Sequence, residues 1–126
     1  EELLGLIRDH VQNERLVFSV CTGALLCGAA DVLAGRQVTT HWSVQNLLPY
    51  YGAVPVDARV AIDGNLISAA GVTAGLDAAL ALVALLRGDA AAQEIQLAIE
   101  YAPNPILHSG TPETAPAQVL ESFQNK

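Results

Sequence analysis

The 126-residue sequence predicts an α/β fold built on a mainly parallel sheet. Three features predict this class. Residues 16–20 have the apolar, partly β-branched composition of a strand buried in a sheet, and a helical segment follows them directly. Asp63-Gly64 lies between two strand-like runs and is a strong hairpin signal. Residues 72–86 are long and apolar enough to form a helix that packs on a sheet.

The first third of the chain alternates helices and strands. Residues 1–13 place apolar side chains at helical spacing opposite charged ones, which predicts an amphipathic helix. After the strand at residues 16–20, we expect a helix that runs to about Leu33 and ends at Gly35, a typical residue after a helix C-terminus. Residues 36–39 are a second short strand candidate.

The middle third is predicted to contain shorter elements. Residues 43–51 are moderately helical, and Pro49 helps to close that segment. Residues 53–56 are a short extended piece. The Asp-Gly turn predicts that residues 58–62 pair antiparallel with residues 66–70.

The last third is predicted to be mostly helical. Residues 72–86 are apolar on nearly every face, so we expect this helix to lie between the sheet and another surface. Asp89 is a natural N-cap for a helix that continues to about Tyr101. In the polar tail, Thr114 is a candidate N-cap, and Pro116 would lie in the first turn of a short final helix.

The strand count is small for a mainly parallel sheet. The strand at residues 16–20 needs neighbours on both edges, but the chain offers one parallel candidate and one hairpin. The sequence also contains no methionine, even at position 1. We therefore expect residues 1–126 to be the C-terminal portion of a single domain whose N-terminal strands lie outside this chain.

Composition and charge argue against several classes of function. A net charge of −7 with only six Lys and Arg residues disfavours direct binding to nucleic acid or to an anionic membrane. The longest apolar run is too short to span a bilayer. Cys21 and Cys27 would lie about 9 Å apart along one helix, which is too far for a disulfide. Reduced thiols suit a cytoplasmic location.

Cys21 stands where the first strand ends and the next helix begins. A nucleophile at such a junction occupies a sharp, strained turn that presents its reactive atom, and Gly23 would let the backbone turn tightly. The helix dipole and the free N–H groups of Thr22 and Gly23 would stabilise a thiolate or an oxyanion. The alternative is that Cys21 is a small buried residue that ends a core strand.

Motifs spread over nearly the whole chain resemble the ThiJ/PfpI superfamily. They include Ser19-Val20-Cys21-Thr22-Gly23, Thr39-Thr40-His41-Trp42, Gly71-Val72-Thr73-Ala74-Gly75 and Glu100-Tyr101-Ala102-Pro103. The resemblance implies a flavodoxin-like sandwich of the class I glutamine amidotransferase type, with the cysteine on a nucleophile elbow. Within the superfamily, this combination of motifs is most similar to the isonitrile hydratases.

The resemblance implies a lyase activity that depends on a cysteine. Cys21 would attack the terminal carbon of an isonitrile, and water would convert the resulting thioimidate to an N-substituted formamide. Thr22 would lie against the thiolate and the substrate. The oxyanion site and the pocket would be formed by Gly23, His41, Trp42, Ala70 and Val72. Ala70 stands where the hydratases tend to have glycine, so its methyl group would lie near the pocket.

The resemblance also implies a homodimer and a small-molecule substrate, with no metal or organic cofactor. The carboxylic acid that transfers protons in these enzymes matches no position of this sequence. We therefore expect the chain by itself to carry the nucleophile without its acid and to be inactive.

Several of these residues have structural alternatives. His41 would either polarise the site or form a local hydrogen bond beside Trp42. Trp42 is expected in the core or the pocket wall, and Cys27 in the core. Asp77 lies inside an apolar helix, where a structural hydrogen bond is favoured over catalysis. The spacing of the two cysteines and His41 matches no standard zinc site.

Other functions stay open at this point. The chain could carry another activity of the superfamily, such as that of a glyoxalase, a deglycase or an amidohydrolase. It could instead be the ligand-sensing domain of an AraC-type transcription regulator, or a redox sensor in which Cys21 oxidises to the sulfinate.

Overall fold

A computed structural model describes residues 1–126, which form five α-helices and five β-strands. In chain order the elements are α1 (Glu2–Gln12), β1 (Val17–Val20), α2 (Ala24–Ala29), β2 (Gln37–Val38), β3 (Val54–Pro55), β4 (Val60–Asp63), β5 (Leu66–Ala69), α3 (Val72–Arg87), α4 (Asp89–Ala98) and α5 (Ala117–Gln124). A 3₁₀ turn (Cys21–Gly23) joins β1 to α2, and a 3₁₀ helix (Trp42–Tyr51) lies between β2 and β3.

The main sheet has three strands in the order β1-β5-β4. Strand β1 runs parallel to β5, with Val20 opposite Ala69. Strands β4 and β5 pair antiparallel across the predicted Asp63-Gly64 turn, which confirms the hairpin. Strands β2 and β3 form a separate parallel pair. Two of the three pairings are therefore parallel, as the α/β prediction requires, and β1 has one edge without a neighbouring strand.

Strand β5 is the centre of the core because both of its faces are buried. Leu66 belongs to a cluster formed with residues of α2 and the loop after it, against which α1 packs. Ile67 and Ala69 belong to a second cluster with Ala74 and Ala78 of α3. Since successive strand residues point to opposite faces, β5 separates the two clusters. Helices thus cover both faces of the sheet, as a flavodoxin-like sandwich requires.

Helix α2 is shorter than the sequence predicts. It ends at Ala29 instead of near Leu33, and Asp31 adopts a left-handed conformation with φ of 59°. Leu33 is buried in the core, so the chain leaves the helix to bring this side chain inward. Gly35 also has a positive φ, but it lies in the turn that leads to β2 and is not the residue that terminates the helix.

The C-terminal helices differ from the prediction at their ends. Gly88 occupies the N-cap position of α4, and Asp89 is its first helical residue, with no side-chain cap. Helix α4 ends at Ala98 instead of near Tyr101: Glu100 adopts a left-handed conformation with φ of 51°, and the Tyr101 hydroxyl bonds Asp77 of α3. Before α5, Pro116 occupies the N-cap position, whereas the Thr114 hydroxyl bonds Thr111.

Helix α3 forms as predicted but is not covered on all sides. Only Ala74 and Ala78 are fully buried, whereas Leu85 is 63% exposed and Leu86 is 59% exposed. The apolar composition therefore exceeds what the chain itself buries. None of the helices combines the length and the apolar character that crossing a bilayer would need.

Candidate active site

The turn at Cys21 is strained in the way the sequence predicts. Val20 is extended, with φ of −127°, and Cys21 then adopts φ of 60° before the helical turn begins. A non-glycine residue in this left-handed region costs about 1–3 kcal/mol and persists only where its surroundings hold it. Gly23 has an ordinary helical φ of −57°, so the tight turn is made by Cys21 and not, as predicted, by Gly23.

Two threonines after β2 connect this turn to the neighbouring strands. The Thr40 hydroxyl donates a hydrogen bond of 2.7 Å to the Cys21 carbonyl oxygen. The backbone N–H of Thr39 donates to Ser68 Oγ of β5 at 3.0 Å. The Thr39 hydroxyl donates to the Ala58 carbonyl at 2.8 Å. The loop that follows β2 is therefore tied to the ends of both β1 and β5.

The two cysteines have different environments. Cys21 is partly exposed at the turn, whereas Cys27 is 2% exposed and belongs to the core cluster beside Leu66. Burial raises the pKa of the Cys27 thiol, and a backbone hydrogen bond lowers it by less. The prediction that Cys27 is a core residue is confirmed. Cys21 is not the deeply buried strand end that the alternative interpretation required.

The helix that follows the turn at Cys21 is shorter than the sequence suggests. Helix α2 has six residues, because it ends at Ala29. A short helix has a short row of aligned peptide dipoles, so the individual N–H groups of the turn matter more than the macrodipole.

A cavity of about 360 Å³ opens at the carboxyl end of β5, beside the turn. Most of the residues around it are polar, and they include the buried Thr40 as well as His41, Trp42, Arg59 and Ala70. The tail contributes residues 110–113 to the opposite side. Thr40 therefore both lines this cavity and bonds the Cys21 backbone.

The structure brings together some of the predicted site residues and separates others. His41, Trp42 and Ala70 line the cavity, whereas Cys21, Thr22 and Gly23 belong to the adjoining turn and are not in the cavity wall. Val72 is not among the residues that line this cavity and is 79% exposed, so its place in the pocket stays a prediction. It begins α3 on the solvent side because Ala74 and Ala78 occupy the buried face of the helix.

His41 forms a local hydrogen bond. Its Nδ1 lies 2.7 Å from the Ser43 hydroxyl and accepts the Ser43 backbone N–H at 3.3 Å. Its ring packs beside Trp42, with 5.5 Å between centroids, and Trp42 in turn lies 5.1 Å from Phe123 of α5. The ring is thus held by the chain itself, as the structural alternative predicts.

Asp77 is structural, as predicted. Its carboxylate accepts a hydrogen bond from Arg59 Nε at 2.6 Å and another from the Tyr101 hydroxyl. Desolvation alone would raise the pKa of Asp77, but these two donors together lower it below its ordinary value. The hydrogen bond to Asp77 raises the pKa of Tyr101. These contacts tie α3 to the segment after α4.

Thr40 and Arg59 belong to this region, although neither was predicted as a site residue. The available signal for Thr40 was a pair of hydroxyl residues at the end of a predicted strand, directly before His41. No such pattern marks Arg59, because its place depends on the hairpin and α3 coming together.

No carboxylate bonds the Cys21 side chain in the structure, and no group of three or more His, Cys, Asp and Glu residues could hold a metal ion. The arrangement offers a strained, partly exposed thiol, the adjacent turn N–H groups and a polar cavity.

Comparison with known proteins identifies relatives along the whole chain. The family model described as DJ-1/PfpI family matches residues 1–85. Isonitrile hydratase from Pseudomonas putida is 48% identical over 126 residues, which is 100% of this chain and 55% of that protein. A deglycase from Thermococcus kodakarensis is 29% identical over 68 residues, covering 54% of this chain and 41% of that protein.

A solved structure has nearly the same fold over the described residues. A crystal structure of a ThiJ/PfpI family protein from Pseudomonas syringae matches with a TM-score of 0.93 and 43% identity, covering 98% of this chain and 51% of that one. The chain thus spans about half the length of these two Pseudomonas relatives. The matched family model and these similarities together establish that the chain belongs to the DJ-1/PfpI (ThiJ/PfpI) family.

Proposed function

We propose that the protein uses Cys21 to hydrate isonitriles to N-substituted formamides. The observation that supports this most directly is the left-handed backbone of Cys21 at the junction of β1 and the following turn, with the side chain partly exposed. Strain of this kind is concentrated at functional sites. The 48% identity to an isonitrile hydratase supports the choice of substrate.

In the proposed reaction, the Cys21 thiolate attacks the terminal carbon of the isonitrile, and a proton is delivered to that carbon. This gives a thioimidate in which the carbon is bonded to sulfur and doubly bonded to nitrogen. Water then adds its hydroxyl to the carbon and a proton to the nitrogen. The carbon–sulfur bond breaks as the hydroxyl becomes the carbonyl and returns its proton to the acid that protonated the carbon. The products are the formamide and the regenerated thiolate. The Thr22 and Gly23 N–H groups would stabilise negative charge during these steps.

The proton transfers need an acid that residues 1–126 do not supply at Cys21. We propose that residues 1–126 are part of a larger single domain in which a carboxylic acid approaches the turn from outside this chain. The open edge of β1 supports this, because a further strand could pair there. The protein would work without a metal or an organic cofactor, in the cytoplasm.

We further propose that the assembled protein is a homodimer. Large apolar side chains exposed on the C-terminal half support an additional interface. They include Leu97 at 82% exposure and Ile106 at 94% exposure. Exposed apolar surface of this kind commonly marks a site of protein association.

The proposal is tested with cyclohexyl isocyanide by following formamide formation. The isolated chain is compared with a chimaera in which the P. putida relative supplies the part of its sequence that this chain does not match. We expect turnover by the chimaera only, abolished by Cys21→Ala and retained by Cys27→Ala. Full turnover by the Cys21→Ala chimaera would exclude Cys21 as the nucleophile. Turnover by the isolated chain would contradict the proposal that the reaction needs an acid from outside this chain.

The second candidate is a deglycase, and the similarity to the T. kodakarensis protein over 68 residues favours it. It would use the same cysteine, since thiolates also attack the carbonyl carbon of glycated amines. The same chimaera, assayed for release of the amine from a glycated amino acid, distinguishes the two. Release of the amine without formamide formation would favour the deglycase.

A further inference from the structure

The Thr40 hydroxyl is the side chain that connects the turn at Cys21 to a distant part of the chain. It donates to the Cys21 carbonyl oxygen at 2.7 Å across a separation of 19 residues. Thr40 is 0% exposed, so water does not compete for this hydroxyl from the solvent side. A buried donor aimed at the carbonyl of a strained residue restrains the direction of that carbonyl.

Thr40 is itself held in place. The preceding residue, Thr39, donates its backbone N–H to Ser68 Oγ of β5, and Ser68 is fully buried. Strand β5 is paired along its whole length with β1, whose last residue precedes Cys21. The loop that carries the Thr40 hydroxyl and the strand that precedes the Cys21 carbonyl are therefore both bonded to β5.

The direction of the Cys21 carbonyl also sets the direction of the Thr22 N–H group. Both belong to the same planar trans peptide unit, in which the C=O and N–H bonds point to opposite sides. A carbonyl held toward Thr40 thus points the Thr22 N–H away from Thr40. This N–H is the donor next to the nucleophile, where negative charge would develop.

We propose that Thr40 is a positioning residue: its hydroxyl keeps Cys21 in the left-handed conformation and orients the Thr22 N–H group. This inference rests on the proposed role of Cys21 as a nucleophile and assigns the residue that holds it. Thr40 acts through the backbone and exchanges no proton with the substrate.

The test uses the full 126-residue chain and does not depend on isonitrile turnover. Thr40→Val keeps the shape of the side chain and removes the donor, and Thr40→Ser restores the donor. Thr39→Val is the matched control, because Thr39 is equally buried and its hydroxyl bonds the Ala58 carbonyl, not Cys21. Two quantities are measured: the rate of Cys21 alkylation by iodoacetamide, resolved by peptide mass spectrometry, and the Cys21 three-bond amide–α-proton NMR coupling, which depends on φ.

We expect Thr40→Val to change the Cys21 coupling and to slow Cys21 alkylation by about five- to tenfold, as the loss of one buried hydrogen bond implies. Thr40→Ser and Thr39→Val are expected to keep the parent coupling and to alkylate within about twofold of the parent rate. An unchanged coupling in Thr40→Val, or an equal loss of rate in Thr39→Val, would overturn the proposal.

If Thr40→Val does not fold, Thr40→Ala replaces it, because alanine removes the donor without adding bulk. Formamide formation does not enter either readout, so a failure of the hydratase assignment leaves this test intact. If Cys21 of the parent chain did not react with iodoacetamide, this would contradict its assignment as the nucleophile. The Cys21 NMR coupling would still decide whether Thr40 holds the backbone.

Discussion

Gly75 of α3 lies directly against Val20, the last residue of β1 before Cys21. A methyl group built at Gly75 would stand 3.0 Å from Val20 Cγ1 and 3.4 Å from Val20 Cγ2. Separations this short are rare for real side chains, so the glycine allows α3 to approach the strand end closely. The helix thus supports the strand at the point where the strained turn begins.

We expect Gly75→Ala to destabilise the chain relative to Gly5→Ala by about 1–3 kcal/mol, because overpacking offsets the gain in helix propensity. Gly5 is the matched control, since it also lies in a helix and a methyl there meets nothing within 4 Å. Urea unfolding gives the free energies. Adding Val20→Ala should relieve the clash, with a coupling energy of about 0.5–3 kcal/mol between the two positions. Additive effects would show that the contact is not tight.

The Asp77–Tyr101 contact should make stability depend on pH. The pKa of Asp77 is lowered in the folded chain, so its contribution is present above the unfolded pKa and is lost as pH falls through the folded pKa. The pKa of Tyr101 is raised, so its contribution is lost as pH rises through the folded pKa. Tyr101→Phe should therefore make the melting temperature depend less on pH, on both the acid and the alkaline side.

Tyr50→Phe serves as the control for this measurement, because Tyr50 is 84% exposed and its hydroxyl bonds no other residue. Its pH profile should match that of the parent chain. If Tyr101→Phe and Tyr50→Phe give the same profile, the contact with Asp77 does not contribute to stability.

The two thiols should react in a fixed order. Cys21 is partly exposed, whereas burial protects Cys27 and raises the pKa of its thiol. Because the thiolate is the reactive form, we expect iodoacetamide to label Cys21 first and Cys27 only on a time scale set by opening of the chain. Peptide mapping at increasing urea concentration measures both rates. Equal rates in the absence of urea would show that the core around Cys27 opens readily.

Phe123 of α5 should report on the docking of the tail through the single tryptophan. The Phe123 ring lies 5.1 Å from Trp42 and 6.4 Å from His41. Phe123→Ala should expose Trp42, which would shift its fluorescence to the red and increase quenching by iodide. Since Phe123 is only half buried, we expect a cost of about 1–2 kcal/mol, below the range for a fully buried Phe. Val119→Ala is the control on the same helix and should leave the emission unchanged.

Much of the fold could be predicted because its signals are local. The Asp63-Gly64 turn specifies the hairpin, and the apolar residues 16–20 followed by Cys21 specify a strand that ends in a turn. Helix ends were predicted less well, because side chains far away in the sequence decided them. Helix α2 ends before Leu33, which is buried in the core, and helix α4 ends before Tyr101, whose hydroxyl bonds Asp77.

In the candidate site too, local features could be predicted from the sequence, whereas contacts between distant residues could not. The sequence by itself determined the strand before Cys21 and the hairpin beside it, since short-range backbone preferences and hydrophobic pattern specify these, and it marked Cys21 as the candidate nucleophile. Only the tertiary structure decided that Cys21, not Gly23, carries the positive φ, that Thr40 bonds its carbonyl, and that Val72 faces solvent. These relationships depend on the parallel pairing of β1 with β5 and on the packing of α3. Both bring together residues that are far apart in the chain, so no local sequence pattern predicts them.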